Sequence, residues 1–299
     1  MLRKVLCAVS AAALIFLCGC GGEENNVEIA KNDETKDKIV VYTSIYPMSD
    51  LAKKIGGDKA EVVNMVPAGT EPHDWEPTVN DMVGLENCDL FIYNGAGMEP
   101  WIDKVRDVLE NKDIIKEASA GCELIDHDGI TDPHTWLSVS NAKIEAENIA
   151  NAMISADGKN KEYYEENLKK LNEKFDETDE MYKSEVKNFK SKNIIVSHEA
   201  FGYLCKEYGL TQTGIEGLNA EGEPEAAKMA EIIETVRNEN IKVIFFEELV
   251  SSKTAETIAE ETGAKCLALN PIEGTDDEEN EDYFSIMKDN LDNLKIALE

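Results

Sequence analysis

Three of the four histidines in this chain sit in sharply patterned segments. They are Glu71-Pro72-His73-Asp74-Trp75-Glu76-Pro77, Asp132-Pro133-His134-Thr135-Trp136-Leu137 and Ser197-His198-Glu199-Ala200-Phe201-Gly202. Neutral imidazole is the ligand that zinc and similar borderline-soft metals take up. Each of these histidines lies roughly sixty residues from the next, far outside the spacing of any local metal motif. If they share a cation, a fold must bring them together. The fourth histidine, His127, lies in the polar run Asp126-His127-Asp128-Gly129, and reads as an exposed loop residue or, alternatively, a weak accessory site collecting metal.

The elements that would position them are alternating strands and helices. Short β-branched runs at 39–42, 61–66, 90–93, 194–196, 243–246 and 266–269 read as strands. Helical patterns cover 47–56, 99–110, 140–154, 199–208, 224–238 and 252–262, and another helix starts near Tyr283. This alternation predicts βαβ units, hence a parallel sheet in each half of the chain. Between the halves, Tyr164, Leu168, Leu171, Phe175, Tyr182, Val186 and Phe189 recur at spacings of three, four and seven, with Thr178 interrupting the stripe. They predict one amphipathic helix of about 26 to 30 residues, roughly 40 Å long. The expected fold is therefore α/β: two parallel-sheet lobes joined by one long rigid helix, with the metal site in the cleft between them. The units are a signal segment 1–19, a tether 20–37, an N-terminal lobe 38–158, the connecting helix 159–190 and a C-terminal lobe 191–299. Ligands of open parallel sheets bind beyond the carboxyl ends of the strands. His73 follows the strand at 61–66 and His198 follows that at 194–196, while His134 precedes a helix, so all three can face the cleft. A fourth ligand is expected from the acidic run Asp276-Asp277-Glu278-Glu279-Asn280-Glu281-Asp282, most of which reads as solvated charge.

Composition narrows the function classes. The formal net charge is −31, which argues against nucleic acid and against charge-driven binding to anionic lipid. Arg3 and Lys4 precede a 13-residue apolar run, Val5 to Leu17, too short to span a bilayer but of signal-peptide length. It ends in Leu17-Cys18-Gly19-Cys20, which resembles the bacterial lipobox; that resemblance implies cleavage before Cys20 and a lipid on it. The polar stretch that follows reads as a flexible tether. Cys88, Cys122, Cys205 and Cys266 form no CxxC pair, so buried free thiols are expected, with a Cys205–Cys266 disulfide the alternative for an exported chain.

With these residues in view, the chain resembles the metal-binding lipoproteins of bacterial ABC importers for zinc and manganese. The resemblance covers roughly 38–299. Its carriers are Pro67-Ala68-Gly69-Thr70-Glu71-Pro72-His73, Asp132 to Leu137, Ser197 to Tyr203, Asn270-Pro271-Ile272-Glu273 and Asp282 to Leu291. It implies metal ligation by His73, His134 and His198, and by Glu281 at a position where the family usually has Asp, with Asp282 or water as substitutes. It implies a monomer anchored to the cell membrane through Cys20, facing out of the cytoplasm, that passes zinc to a permease driven by an ATPase partner. Three nitrogens with at most one carboxylate favour zinc over manganese, which takes more oxygen ligands. The alternatives are manganese import, a surface adhesin and a zinc hydrolase. The last lacks any HExxH helix or nucleophile constellation, so no enzyme is expected.

Overall fold

The computed structural model describes residues 38–127, 129–218, 224–249, 251–275 and 280–299. The expected signal segment, Cys20, the tether and residues 276–279 of the acidic run lie outside them.

The N-terminal sheet holds β1 (Ile39–Thr43), β2 (Ala60–Asn64), β3 (Leu90–Tyr93) and β4 (Ile115–Glu117), all parallel in the order β2-β1-β3-β4. Central β3 is buried at every residue, as a strand covered on both faces must be. Helix α1 (Tyr46–Gly56) carries Pro47 in its first turn, where the missing N–H costs nothing. Helix α2 (Val79–Asn87) starts at a capping box: Thr78 Oγ1 accepts from Asp81 N, and the Asp81 carboxylate accepts from Thr78 N. Helix α3 (Ile102–Val108) starts later than the pattern at 99 suggests. The Glu99 side chain turns back into the preceding loop, accepting from Asn94 N at 2.8 Å, Gly95 N at 3.0 Å and Ser44 Oγ at 2.6 Å. A two-stranded hairpin, β5 (Asp126–His127) and β6 (Ile130–Thr131), precedes the His134 segment, and α4 (Val139–Ala156) follows it.

The long helix is α5 (Lys161–Glu185), extended by a 3-10 turn at each end so that helical backbone runs from Gly158 to Asn188. Its buried stripe is Tyr164, Leu171, Phe175, Thr178 and Tyr182. Thr178 does not break the stripe, because its hydroxyl donates to Lys174 O at 2.9 Å and so enters the core satisfied. One end is tied to the first lobe, where Asn167 Nδ2 donates to Ile55 O at 3.0 Å; the other is tied to the second, where Tyr182 OH donates to Met287 O at 2.7 Å.

The C-terminal sheet repeats the plan. Its strands are β7 (Asn193–Val196), β8 (Thr211–Gly214), β9 (Val243–Phe246) and β10 (Lys265–Ala268), parallel in the order β10-β9-β7-β8. Its helices are α6 (Gly202–Tyr208), α7 (Ala226–Asn238), α8 (Lys253–Thr262) and α9 (Tyr283–Leu298). Cys88, Cys122, Cys205 and Cys266 are all free thiols, so no Cys205–Cys266 bridge forms. One hydrophobic core runs through both lobes and α5, from Val41 and Ile149 through Phe175 to Val196 and Leu294. A core continuous across the lobes resists hinge motion, since opening would expose close-packed apolar surface.

Candidate metal centre

His73 and His198 arrive at the cleft beyond the carboxyl ends of parallel strands, and His134 beyond the β5–β6 hairpin. His73 lies in the loop between β2 and α2, His134 in the turn between β6 and α4, and His198 two residues beyond the end of β7. The fourth group is Glu273, in the loop after β10. His73, His134, His198 and Glu273 each offer one ligand atom, and these four atoms lie within 4.8 Å of one another. His134 Nε2 is 3.1 Å from His73 Nε2, 3.2 Å from His198 Nε2 and 2.9 Å from Glu273 Oε1. Glu273 Oε1 is 3.4 Å from His73 Nε2 and 3.6 Å from His198 Nε2. A tetrahedron of zinc ligands with bonds of about 2.05 Å has edges of about 3.3 Å. These five separations, 2.9 to 3.6 Å, bracket that edge.

Chemistry behind the rings points the same way. His134 Nδ1 hydrogen-bonds Asp132 Oδ1 at 2.8 Å, and His198 Nδ1 lies 2.7 Å from Glu247 Oε2 as an ion-pair contact off the line of a hydrogen bond. A carboxylate at Nδ1 holds the proton there and leaves the Nε2 lone pair facing inward, the arrangement found behind metal-bound imidazoles. Gly202 makes room for Asp132: a Cβ at that position would come within 2.6 Å of Asp132 Oδ2. Neither oxygen of Glu273 makes a well-formed hydrogen bond, although the side chain is buried. Lone pairs and a carboxylate facing one another in a dry site repel unless a cation or protons sit among them.

The titration directions report this. Burial pushes His134 down, but Asp132 and Glu273 outweigh it and hold the imidazole above its ordinary value. Burial likewise opposes charge on His198, yet Glu247 and Glu273 hold it well above 6.5. Burial alone would raise Glu273, but the three imidazoles hold its carboxyl well below the usual range. Beside them, burial and the Glu273 charge push Glu71 up to about 8, which lessens the negative charge it brings to the site at neutral pH. Its Oε1 accepts from His73 N at 3.2 Å.

Glu281, the expected fourth ligand, is not in the cluster. Its carboxylate accepts from the Thr275 hydroxyl, and its backbone carbonyl accepts from Tyr46 OH at 3.2 Å. Asp282 is also elsewhere: it caps α9 through Ser285 and pairs with Lys54 at 3.0 Å. Both are held by the run-up to α9, whereas the chain turns inward four residues after β10. The sequence carries only a weak signal for Glu273. It is the first carboxylate beyond a C-terminal strand end, beside apolar Ile272 rather than among solvated charges. His127 is exposed in the hairpin and outside the cluster. Of the tryptophans beside the ligand segments, Trp136 packs on the His134 ring with centroids 5.5 Å apart, whereas Trp75 packs on Trp101 at 5.5 Å.

Known proteins share this architecture. The high-affinity zinc uptake system protein ZnuA of Bacillus subtilis is 39% identical over 309 residues, covering 97% of this chain and 96% of that protein. The zinc-binding lipoprotein AdcA of Streptococcus pneumoniae is 32% identical; the alignment covers 98% of this chain but only 61% of AdcA. The crystal structure of the Zn(II)-bound ZnuA-like domain of AdcA superposes with a TM-score of 0.78 at 35% identity, over 87% of this chain and 99% of that one. Laminin binding protein Lmb of Streptococcus agalactiae, described as bifunctional with adhesin and metal transporting activity, gives 0.80 at 36% identity, over 87% and 100%. A family model described as ZnuA, zinc-uptake complex component A, periplasmic, matches residues 41–297. That span holds all but the first two residues of the two parallel sheets, the long helix and all four converging side chains, and the chain belongs to this family.

Proposed function

We propose that this protein captures zinc outside the cytoplasm and delivers it to an ABC permease for import. The observation that carries the reading is the convergence of His73, His134, His198 and Glu273, from two lobes, at the edge lengths of a zinc tetrahedron. Four protein donors would fill a tetrahedral site. A catalytic zinc keeps one position open for water or substrate, so this donor set favours binding over hydrolysis. Three nitrogens and one oxygen also suit zinc better than manganese. The cleft is closed: the His134, His198 and Glu273 side chains are 0 to 1% exposed and that of His73 is 5%. Entry and release therefore fall to the His73 loop, since the shared core opposes separation of the lobes. On the same reading the protein is a monomer, divided at about 158 and 190 into two lobes and a connecting helix, and held at the outer face of the cell membrane by a lipid on Cys20. Native mass spectrometry under competition from manganese tests the site: one zinc per chain is expected, lost in His198→Ala. Manganese outcompeting zinc, or a zinc retained by His198→Ala, would overturn it.

Similarity to Lmb supports adhesion as a second reading. It predicts laminin binding that survives His198→Ala; no binding by the wild type would remove it.

A further inference from the structure

Glu273 is delivered by a turn held against its own preference. Ile272, the residue before it, has φ of +63°, in the left-handed region that β-branched residues avoid. Its side chain is fully buried, so the turn is not a loose surface feature. Such a conformation persists only where surrounding groups over-determine it. Here three do. Asn270 Oδ1 accepts from Ile272 N at 2.7 Å, closing the turn from within. Asn290, on α9, grips the Asn270 backbone at both ends, with Asn270 N donating to Asn290 Oδ1 at 2.8 Å and Asn290 Nδ2 donating to Asn270 O at 2.7 Å. From the other lobe, Trp136 Nε1 donates to Pro271 O at 2.7 Å, while its ring packs on His134. Tyr283 OH in turn donates to Trp136 O at 2.8 Å, fixing that segment to α9.

We propose that Asn270 and Trp136 are positioning residues for metal capture. They hold the strained turn so that the Glu273 carboxylate stands at the three imidazoles before zinc arrives. The proposal rests on the zinc-capture reading and deepens it. Without the clamp the turn relaxes, Glu273 swings off the site, and zinc is left with three nitrogens. Trp136 reaches both the His134 segment and the Glu273 turn, so it also sets the distance between ligands contributed by different lobes. Neither residue need touch the metal.

The test is a double-mutant cycle, with zinc affinity read by chelator competition where every variant is fully folded, and metal-free Tm read separately. Asn270→Ala is expected to weaken zinc binding about 10- to 100-fold, the usual range for groups that orient ligands. Asn270→Asp, made in a Glu248→Gln background because Asn270 Nδ2 donates to the Glu248 carboxylate at 3.5 Å, keeps the Oδ1 acceptor and should stay within about twofold of that background. Trp136→Phe keeps an aromatic ring but loses the N–H donor, and should weaken binding as Asn270→Ala does. In a Glu273→Gln background neither substitution should cost anything further. Three results would overturn the proposal: Asn270→Ala and Trp136→Phe changing only the Tm, Asn270→Asp falling as far as Asn270→Ala, or the same loss persisting in Glu273→Gln. Should the wild type itself take up no zinc, the capture reading fails instead, and the two failures are distinguishable.

Discussion

Replacing Glu247 by Gln removes a charge from behind His198 while keeping the shape of the side chain. The carboxylate lies 2.7 Å from His198 Nδ1, and the two side chains are 3% and 0% exposed, so solvent barely screens the contact. The contact is an ion pair rather than an aligned hydrogen bond; a close contact to a charged group is worth about 1.5 to 3 kcal/mol and one to a neutral group about 1. The difference, about 0.5 to 2 kcal/mol, corresponds to roughly a two- to thirtyfold loss of zinc affinity. A second consequence has the opposite sign. Burial works against the imidazolium, but the Glu247 and Glu273 charges overcome it and raise the His198 pKa well above 6.5 in the metal-free protein. Protons therefore compete with zinc there, and below that raised pKa apparent affinity falls about tenfold per pH unit for each proton displaced. In Glu247→Gln the pKa drops back toward its ordinary value, so competition begins only at lower pH. Chelator-competition titrations of both proteins from pH 8 to 6 should show a deficit that is largest at the alkaline end and shrinks with acidification. A deficit constant across pH, or none at pH 8, would refute the reasoning that Glu247 acts through the His198 proton.

Other outcomes follow from the same geometry. Glu273→Gln should lose about 10- to 100-fold or more in zinc affinity, while Glu281→Gln should stay within about twofold, because the Glu281 carboxylate is engaged by Thr275 away from the cluster; isothermal competition distinguishes them. The metal-free protein should lose stability as pH rises. His134 and His198 are raised by their carboxylates, so their contribution is complete below about 6.5 and lost as pH climbs through the raised values. Burial pushes Glu99 and Glu145 up to about 7, and burial with Glu273 pushes Glu71 up to about 8, so each is protonated in the fold while the unfolded chain ionises, with the same sign between pH 4.5 and those values. Calorimetry should show the metal-free Tm falling by about 5 °C or more from pH 5.5 to 8. With zinc bound the fall should be shallower, because the imidazoles no longer carry the protons.

What could be read from the sequence is what repeats or buries. The strands with β-branched runs, such as Ile194-Ile195-Val196, and the stripe of α5 are legible because both sit against the core. The strands that escape notice are the short hairpin pair β5 and β6, and β4 and β8 at the edges of the parallel sheets, where Lys116 and Glu117 or Thr211 to Gly214 supply no apolar pattern. Helix α2 escapes notice as well; its local mark is the Thr78–Asp81 capping box, and of its residues only Leu85 is buried. His73, His134 and His198 stand out because histidine is scarce and each sits in its own patterned segment. Glu273 does not, since 61 acidic residues offer no contrast. What singles it out is Ile272 at positive φ, held by Asn270 and Trp136, and that is a tertiary fact rather than a local one.

The central claim is that imidazoles from both lobes share one zinc with Glu273. Anomalous diffraction at the zinc edge from crystals of the loaded protein tests it directly. One strong peak is expected, about 2.0 to 2.2 Å from Nε2 of His73, His134 and His198 and from a Glu273 oxygen. A peak bound through Glu281, or one lacking any of the three imidazoles, would contradict the account.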